Sequence, residues 1–149
     1  MPDVKLTAWR NLLRAHAELV DALARELAEE HDLPISWYDV LIHLAEAPDR
    51  QLRMHELAES LLLSRSAATR FVDRMEKAGL VRREVCPTDR RGMFVVLTEE
   101  GRRRLREAAP THLDGVARLF SANVTDEEAE VIAASLARVA DTVRSGVPA

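Results

Sequence analysis

Between Ser64 and Arg74 the chain carries Ser64, Arg65, Ser66, Thr69, Arg70 and Arg74, and further on Asp89, Arg90 and Arg91 stand in a row. Guanidinium groups bond two acceptors of a guanine at once, and short hydroxyls reach bases or phosphates at close range. Such residue types suit a surface that reads nucleic acid. The stretch from Ser64 to Arg91 holds eight basic residues and four acids, a net of +4, in a chain whose formal charge is -4. The remainder is therefore -8, so positive charge is local and not a property of the whole surface.

Other chemistries lack their residues. No nucleophile-base signature, phosphate-binding glycine loop or metal motif is present, which predicts neither an enzyme nor a cofactor. The five histidines, His16, His31, His43, His55 and His112, are dispersed, with no histidine pair at helical i, i+4 spacing. A single cysteine, Cys86, forms no internal disulfide and suits a reducing cytoplasm. It reads as a small apolar strand residue. Its neighbouring arginines leave open a redox-responsive reading in which thiol oxidation weakens DNA binding. No apolar run is long enough to cross a bilayer, and the first residues, MPDVKLTAWR, form no signal-peptide core.

The elements that position these residues follow from periodicity and caps. Residues 6–30 have apolar positions at steps of three and four, a long amphipathic helix that Asp32-Leu33-Pro34 stops. Ser36 is placed to cap a second helix with Tyr38, Val40, Leu41, Leu44 and Ala45 on its buried face. QLR is a very short strand. A short helix spans Met54 to Ser60, and Ser64 caps the next, which runs to about Ala78 with Gly79 at its C-terminus. On that helix Ala68, Phe71, Val72 and Met75 share the inward face. Strands at 81–85 and 93–97 bracket a Pro-Thr-Asp tip, with Gly92 permitting the return. A helix from Thr98 to about Ser121 and a last one opened by the Thr125/Glu128 capping box complete the chain. The fold class is mostly α with a small β-wing, in the chain order of a winged helix-turn-helix. A ribbon tip beside the recognition helix places an arginine at the strongly negative potential of a narrow minor groove. Asp89 would orient an arginine, Arg74 or Arg91, by charge-assisted hydrogen bonds.

The run from HELAES to TEEGRRRL resembles the core of the multiple-antibiotic-resistance-regulator (MarR) family of bacterial and archaeal transcription factors. The matching pieces are LAE, S-R-S-x-x-T-R, E-K-A-G-L-V-R-R, the D-x-R of the wing and V-x-L-T-E-E-G. LPISWYDVL and TDEEAE extend the likeness to the flanks, so that it covers essentially the whole chain. The resemblance implies a single domain over 1–149: a winged part at 35–98, with dimerisation helices at 1–33 and 99–149. It implies a homodimer on a pseudo-palindromic duplex, with half-sites roughly 34 Å apart. Carried over by position, Ser64, Arg65, Ser66, Thr69 and Arg70 are recognition-helix contacts with Arg74 close behind. Asp89 and Arg91 fall on the wing motif, and Arg90 is a further tip candidate. It also implies a repressor released by a small aromatic or phenolic effector. Candidate residues for that crevice are Trp9, His16, Trp37, Tyr38 and His43, although aromatics on an apolar stripe are more simply packing. Many relatives have glycine where Leu62 stands; a left-handed leucine would cost roughly 1 kcal/mol or more, which predicts a different turn here. The rival function is a winged module for protein contacts, its tip arginines meeting an acidic partner.

Overall fold

Pro34 sets the register of everything that follows α1 (Val4–His31). The helix ends at Asp32, which is left-handed at φ 49°, and the Leu33 amide reaches back to the Leu27 carbonyl at 3.3 Å. Leu33 is thereby turned into the core, where it is fully buried with Leu27. The Pro34 carbonyl then accepts the amides of Trp37 and Tyr38, so α2 (Ile35–Glu46) begins with Pro34 at its N-cap and no side-chain cap. Ser36 lies inside the first turn and is not the cap. Ala45, assigned to the buried face, is exposed, whereas Tyr38, Val40, Leu41 and Leu44 are buried.

The computed structural model describes residues 1–146, apart from the side chains of Asp89, Arg90 and Arg91. The described residues form six α-helices and three strands. Residues 1–113 make up one compact unit, and a second begins at Asp114. In the first, β1 (Gln51–Arg53), β2 (Val81–Cys86) and β3 (Asp89–Leu97) form an antiparallel sheet in the order β1-β3-β2. Both wing strands run further than their apolar residues suggest. The ladder continues to a Cys86/Asp89 pair through a register shift at Val85/Cys86, so the return is made at Pro87-Thr88 and Gly92 lies inside β3. Backbone pairing extends a hairpin past its core without needing apolar side chains.

Helices α3 (Met54–Ser60) and α4 (Arg65–Lys77) complete the helix-turn-helix. The end of α3 is a Schellman motif: Leu63 N–H donates to the Ala58 carbonyl at 2.9 Å and Leu62 N–H to Glu59 at 3.1 Å. Leu62 takes the left-handed position at φ 57°. The turn therefore keeps the glycine-type backbone, contrary to the expectation of an altered one, because the chain must reverse there to bring α4 onto α3. The end of α4 repeats the motif with Gly79 at φ 80°. Leu57, Val72, Met75, Leu80, Val81, Val95 and Leu97 join Leu27, Leu33 and the α2 face in a single buried cluster.

Helix α5 (Glu99–Leu119) leaves β3 through Thr98 and is continuous past Pro110. In the second unit α6 (Asp126–Arg144) starts with the anticipated capping box, Thr125 with Glu128, and has no buried residue.

Candidate nucleic-acid interface

Helix α4 is anchored by Ala68, Val72 and Met75, all fully buried. That anchoring turns the opposite side outward, and Ser64, Arg65, Ser66, Thr69, Arg70 and Arg74 are all exposed on or just before it. Ser64 Oγ accepts the Ala67 amide at 3.2 Å and lies 3.3 Å from Ser66 Oγ. The cap satisfies one of the open amides at this end, where the helix dipole favours anions. The Thr69 hydroxyl donates to the Arg65 carbonyl at 2.9 Å, leaving its oxygen as an acceptor. Arg74 lies over the Phe71 ring, 5.8 Å from its centroid, which steers the guanidinium along the helix surface. Among the described residues no carboxylate lies within ion-pair distance of Arg65, Arg70, Arg74 or Lys77, so their charge is available to a ligand. The assignments to Asp89, Arg90 and Arg91 lie outside the described residues.

The other basic residues of this segment behave differently. Arg82 pairs with Glu84 at 2.8 Å. Arg83 pairs with Asp73 at 2.6 Å and with Glu76 at 3.0 Å. Asp73 is thus tied to the wing strand, although it is exposed on α4 beside Thr69 and Arg70. Sequence reasoning did not single out this connection. Its signal was the i, i+4, i+7 spacing of Thr69, Asp73 and Glu76 opposite a basic strand. Between α4 and the ribbon an open cleft of about 280 Å³ is lined by Met54, His55, Arg65, Thr69, Arg83, Gly92 and Met93.

The crevice candidates fall into two places. Tyr38 is buried, its ring 4.5 Å from the ring of His112. Burial raises its hydroxyl pKa, and the charges of Asp39 and Glu46 raise it further. Trp37 is half-buried against the same core, and His43 Nδ1 lies 2.6 Å from the Asp39 carbonyl. Trp9 and His16 are exposed on α1. At 1.5 Å per residue they stand about 27 Å and about 17 Å along the helix from Leu27, where α1 enters the core. Cys86 is buried, its sulfur 3.8 Å from the Arg53 guanidinium and 3.3 Å from Thr88 Oγ1. Among the described residues no group of three His, Cys, Asp or Glu gathers as a metal site, and no helix is long and apolar enough to cross a membrane.

The MarR family profile matches residues 31–92. AbsC, a MarR family transcriptional regulator from Streptomyces coelicolor, is 34% identical and superposes with a TM-score of 0.91 over 97% of each chain. Sco3205, a MarR family regulator from the same organism solved in complex with DNA, is 38% identical, with a TM-score of 0.89 over 96% of this chain and 93% of that one. CouR from Rhodococcus jostii RHA1, solved bound to p-coumaroyl-CoA, is 27% identical, with a TM-score of 0.77 over 87% of this chain and 88% of that one.

Proposed function

Because this chain belongs to the MarR family of transcriptional regulators, we propose that it is a cytoplasmic repressor that binds a pseudo-palindromic duplex as a homodimer. Helix α4 enters the major groove, and Arg90 and Arg91 at the ribbon tip meet the adjacent minor groove, with Asp89 orienting Arg74 or Arg91. The observation that carries this reading is the exposed side of α4. Arg65, Arg70 and Arg74 stand there beside Ser64, Ser66 and Thr69, with no carboxylate partner among the described residues, in a chain that is otherwise anionic. The DNA complex of Sco3205 supports the same use of the fold.

In this reading residues 35–98 form the winged part, and 1–33 with 99–149 supply the dimerisation helices. Release follows binding of a small aromatic effector, a role supported by the ligand held by CouR. Selection of bound sequences from random duplexes tests the proposal, followed by a salt titration on the recovered site. Several phosphate contacts should give a log-log slope of about -0.9 per phosphate. A protein that binds no duplex in dilute salt but captures an acidic protein would instead be a winged protein-contact module.

A further inference from the structure

We propose that Arg83 is a positioning residue: it locks the DNA-reading helix α4 to wing strand β2 and sets sequence discrimination without touching DNA. This role presupposes the operator binding proposed above. Only 18% of the Arg83 side-chain surface is exposed. Its Nη2 lies 2.6 Å from Asp73 Oδ1 and donates to the Thr69 carbonyl at 3.0 Å. Its Nη1 donates to Glu76 Oε1 at 3.0 Å, and its own backbone amide donates to Glu76 Oε2 at 2.8 Å.

Thr69, Asp73 and Glu76 lie on one stripe of α4 that covers about 10 Å of helix axis. One guanidinium therefore grips two turns of the reader, while the strand amide holds the same carboxylate from behind. Contacts at three levels fix both the slide and the tilt of α4 against the ribbon. Position in the strand makes the grip effective. Val81, two residues toward the core, is buried, and Val85, two residues toward the tip, is exposed. Arg83 sits where apolar packing between helix and ribbon gives out.

Charge separates this arginine from its neighbours. Asp73 and Glu76 outweigh its single positive charge, so the group as a whole offers a phosphate no net attraction. A planar fork is required, because a lysine ammonium is one point charge and cannot serve two carboxylates and a carbonyl in these directions. Relative placement of helix and wing decides whether major-groove and minor-groove contacts form together on one half-site. The clamp should therefore act on discrimination, not on gross affinity for DNA.

The test measures binding to a duplex recovered by random selection and to a random duplex of equal length across a range of salt. Wild type, Arg83→Met, Arg83→Lys and Asp73→Asn are compared. Arg83→Met and Asp73→Asn should each narrow the selected-to-random affinity ratio about tenfold or more. The salt slope on random DNA should stay at the wild-type value, and Arg83→Lys should fail to restore the ratio. A phosphate contact gives the opposite pattern: a slope reduced by about 0.9 in Arg83→Met, recovery in Arg83→Lys, and tighter random binding in Asp73→Asn as an anion is removed. That pattern, or an unchanged ratio, overturns the proposal. Should melting show that Arg83→Met does not fold, Asp73→Asn decides alone, since its side chain is half exposed and the change is isosteric. Wild-type protein that binds no duplex sinks the operator reading and this role with it. Wild-type binding with intact discrimination in the variants sinks this role alone.

Discussion

Leu62 contributes almost nothing with its side chain, which is 91% exposed, yet it holds the left-handed turn between α3 and α4 at φ 57°. A β-carbon there costs about 1–2 kcal/mol, whereas glycine costs about 0.5–1 kcal/mol in backbone entropy. Relief outweighs entropy, so Leu62→Gly should stabilise the protein by up to about 1 kcal/mol, a rise of a few degrees in Tm. A fall in Tm would mean that the leucine makes contacts the fold does not display. Asp39 offers a pH test. Partial burial raises its carboxyl pKa, while His112 and His43 pull the other way. A carboxyl with a raised folded pKa binds more protons folded than unfolded, so its contribution to stability falls as pH rises through the interval above the ordinary carboxylate value. Asp39→Asn should raise Tm at neutral pH, and the gain should shrink on approaching pH 4, about the ordinary carboxylate value. A gain that does not vary with pH would rule this out. For DNA binding, Arg70→Ala should weaken selected and random duplexes alike if the guanidinium meets phosphate. Loss of a base contact worth about 1–3 kcal/mol would instead lower affinity about five- to 150-fold on the selected site.

Helix α5 is set against the wing by a residue with no side chain. A Cβ on Gly101 would overlap the Leu80 carbonyl oxygen and come within 2.7 Å of Leu97 Cδ1. That carbonyl is itself fixed, accepting the Thr98 amide at 3.2 Å. The Thr98 hydroxyl donates to the Gly79 carbonyl at 2.7 Å and accepts the Gly101 amide at 3.0 Å, joining the end of α4 to the start of α5. Gly101→Ala must push rigid backbone aside and should cost about 1–3 kcal/mol. Denaturant unfolding would measure it, and a neutral result would show that α5 can slide. These two positions belong to the T-E-E-G run that was visible in the sequence, but their partner Leu80 was not. The same boundary runs through the whole reading. Helices, caps and the order of the winged segment were legible because periodicity, Ser64, Gly79 and Thr125 act within a few residues of themselves. The Arg83 clamp, the Pro34 start of α2 and the length of the wing strands were not. Each depends on which backbone or charge arrives from elsewhere in the chain. The exposure of Arg65 and Arg70 was legible as a pattern, but only packing could show that Asp73 is held by Arg83 of the wing strand.

Two helices are left with apolar surface that one chain does not cover. Helix α1 buries only Leu23 and Leu27, and Leu6, Trp9 and Leu13 are 44%, 52% and 50% exposed. In the second unit α6 leaves Val131, Val139 and Val143 at 65%, 56% and 76%. Fully burying such a side chain is worth about 1.5–3 kcal/mol, so a second copy that covers several of them offsets the cost of association. Wild-type protein should therefore sediment at twice 16.7 kDa, with a Tm that rises with protein concentration. Leu13→Glu places a charge in that face and should give a folded monomer. Each winged part would then bind its half-site independently, and affinity for the full operator should drop steeply while half-site affinity stays unchanged. The same variant bears on the effector. Trp9 and His16 are exposed on α1, about 27 Å and about 17 Å along the helix from Leu27, so a second chain packed on that face would enclose them in the crevice proposed for Trp37, Tyr38 and His43. The monomer should then lose ligand-induced stabilisation by phenolic compounds, measured as a shift in Tm. A monomer that still responds would place the effector within a single chain and return Trp9 and His16 to the dimer interface alone.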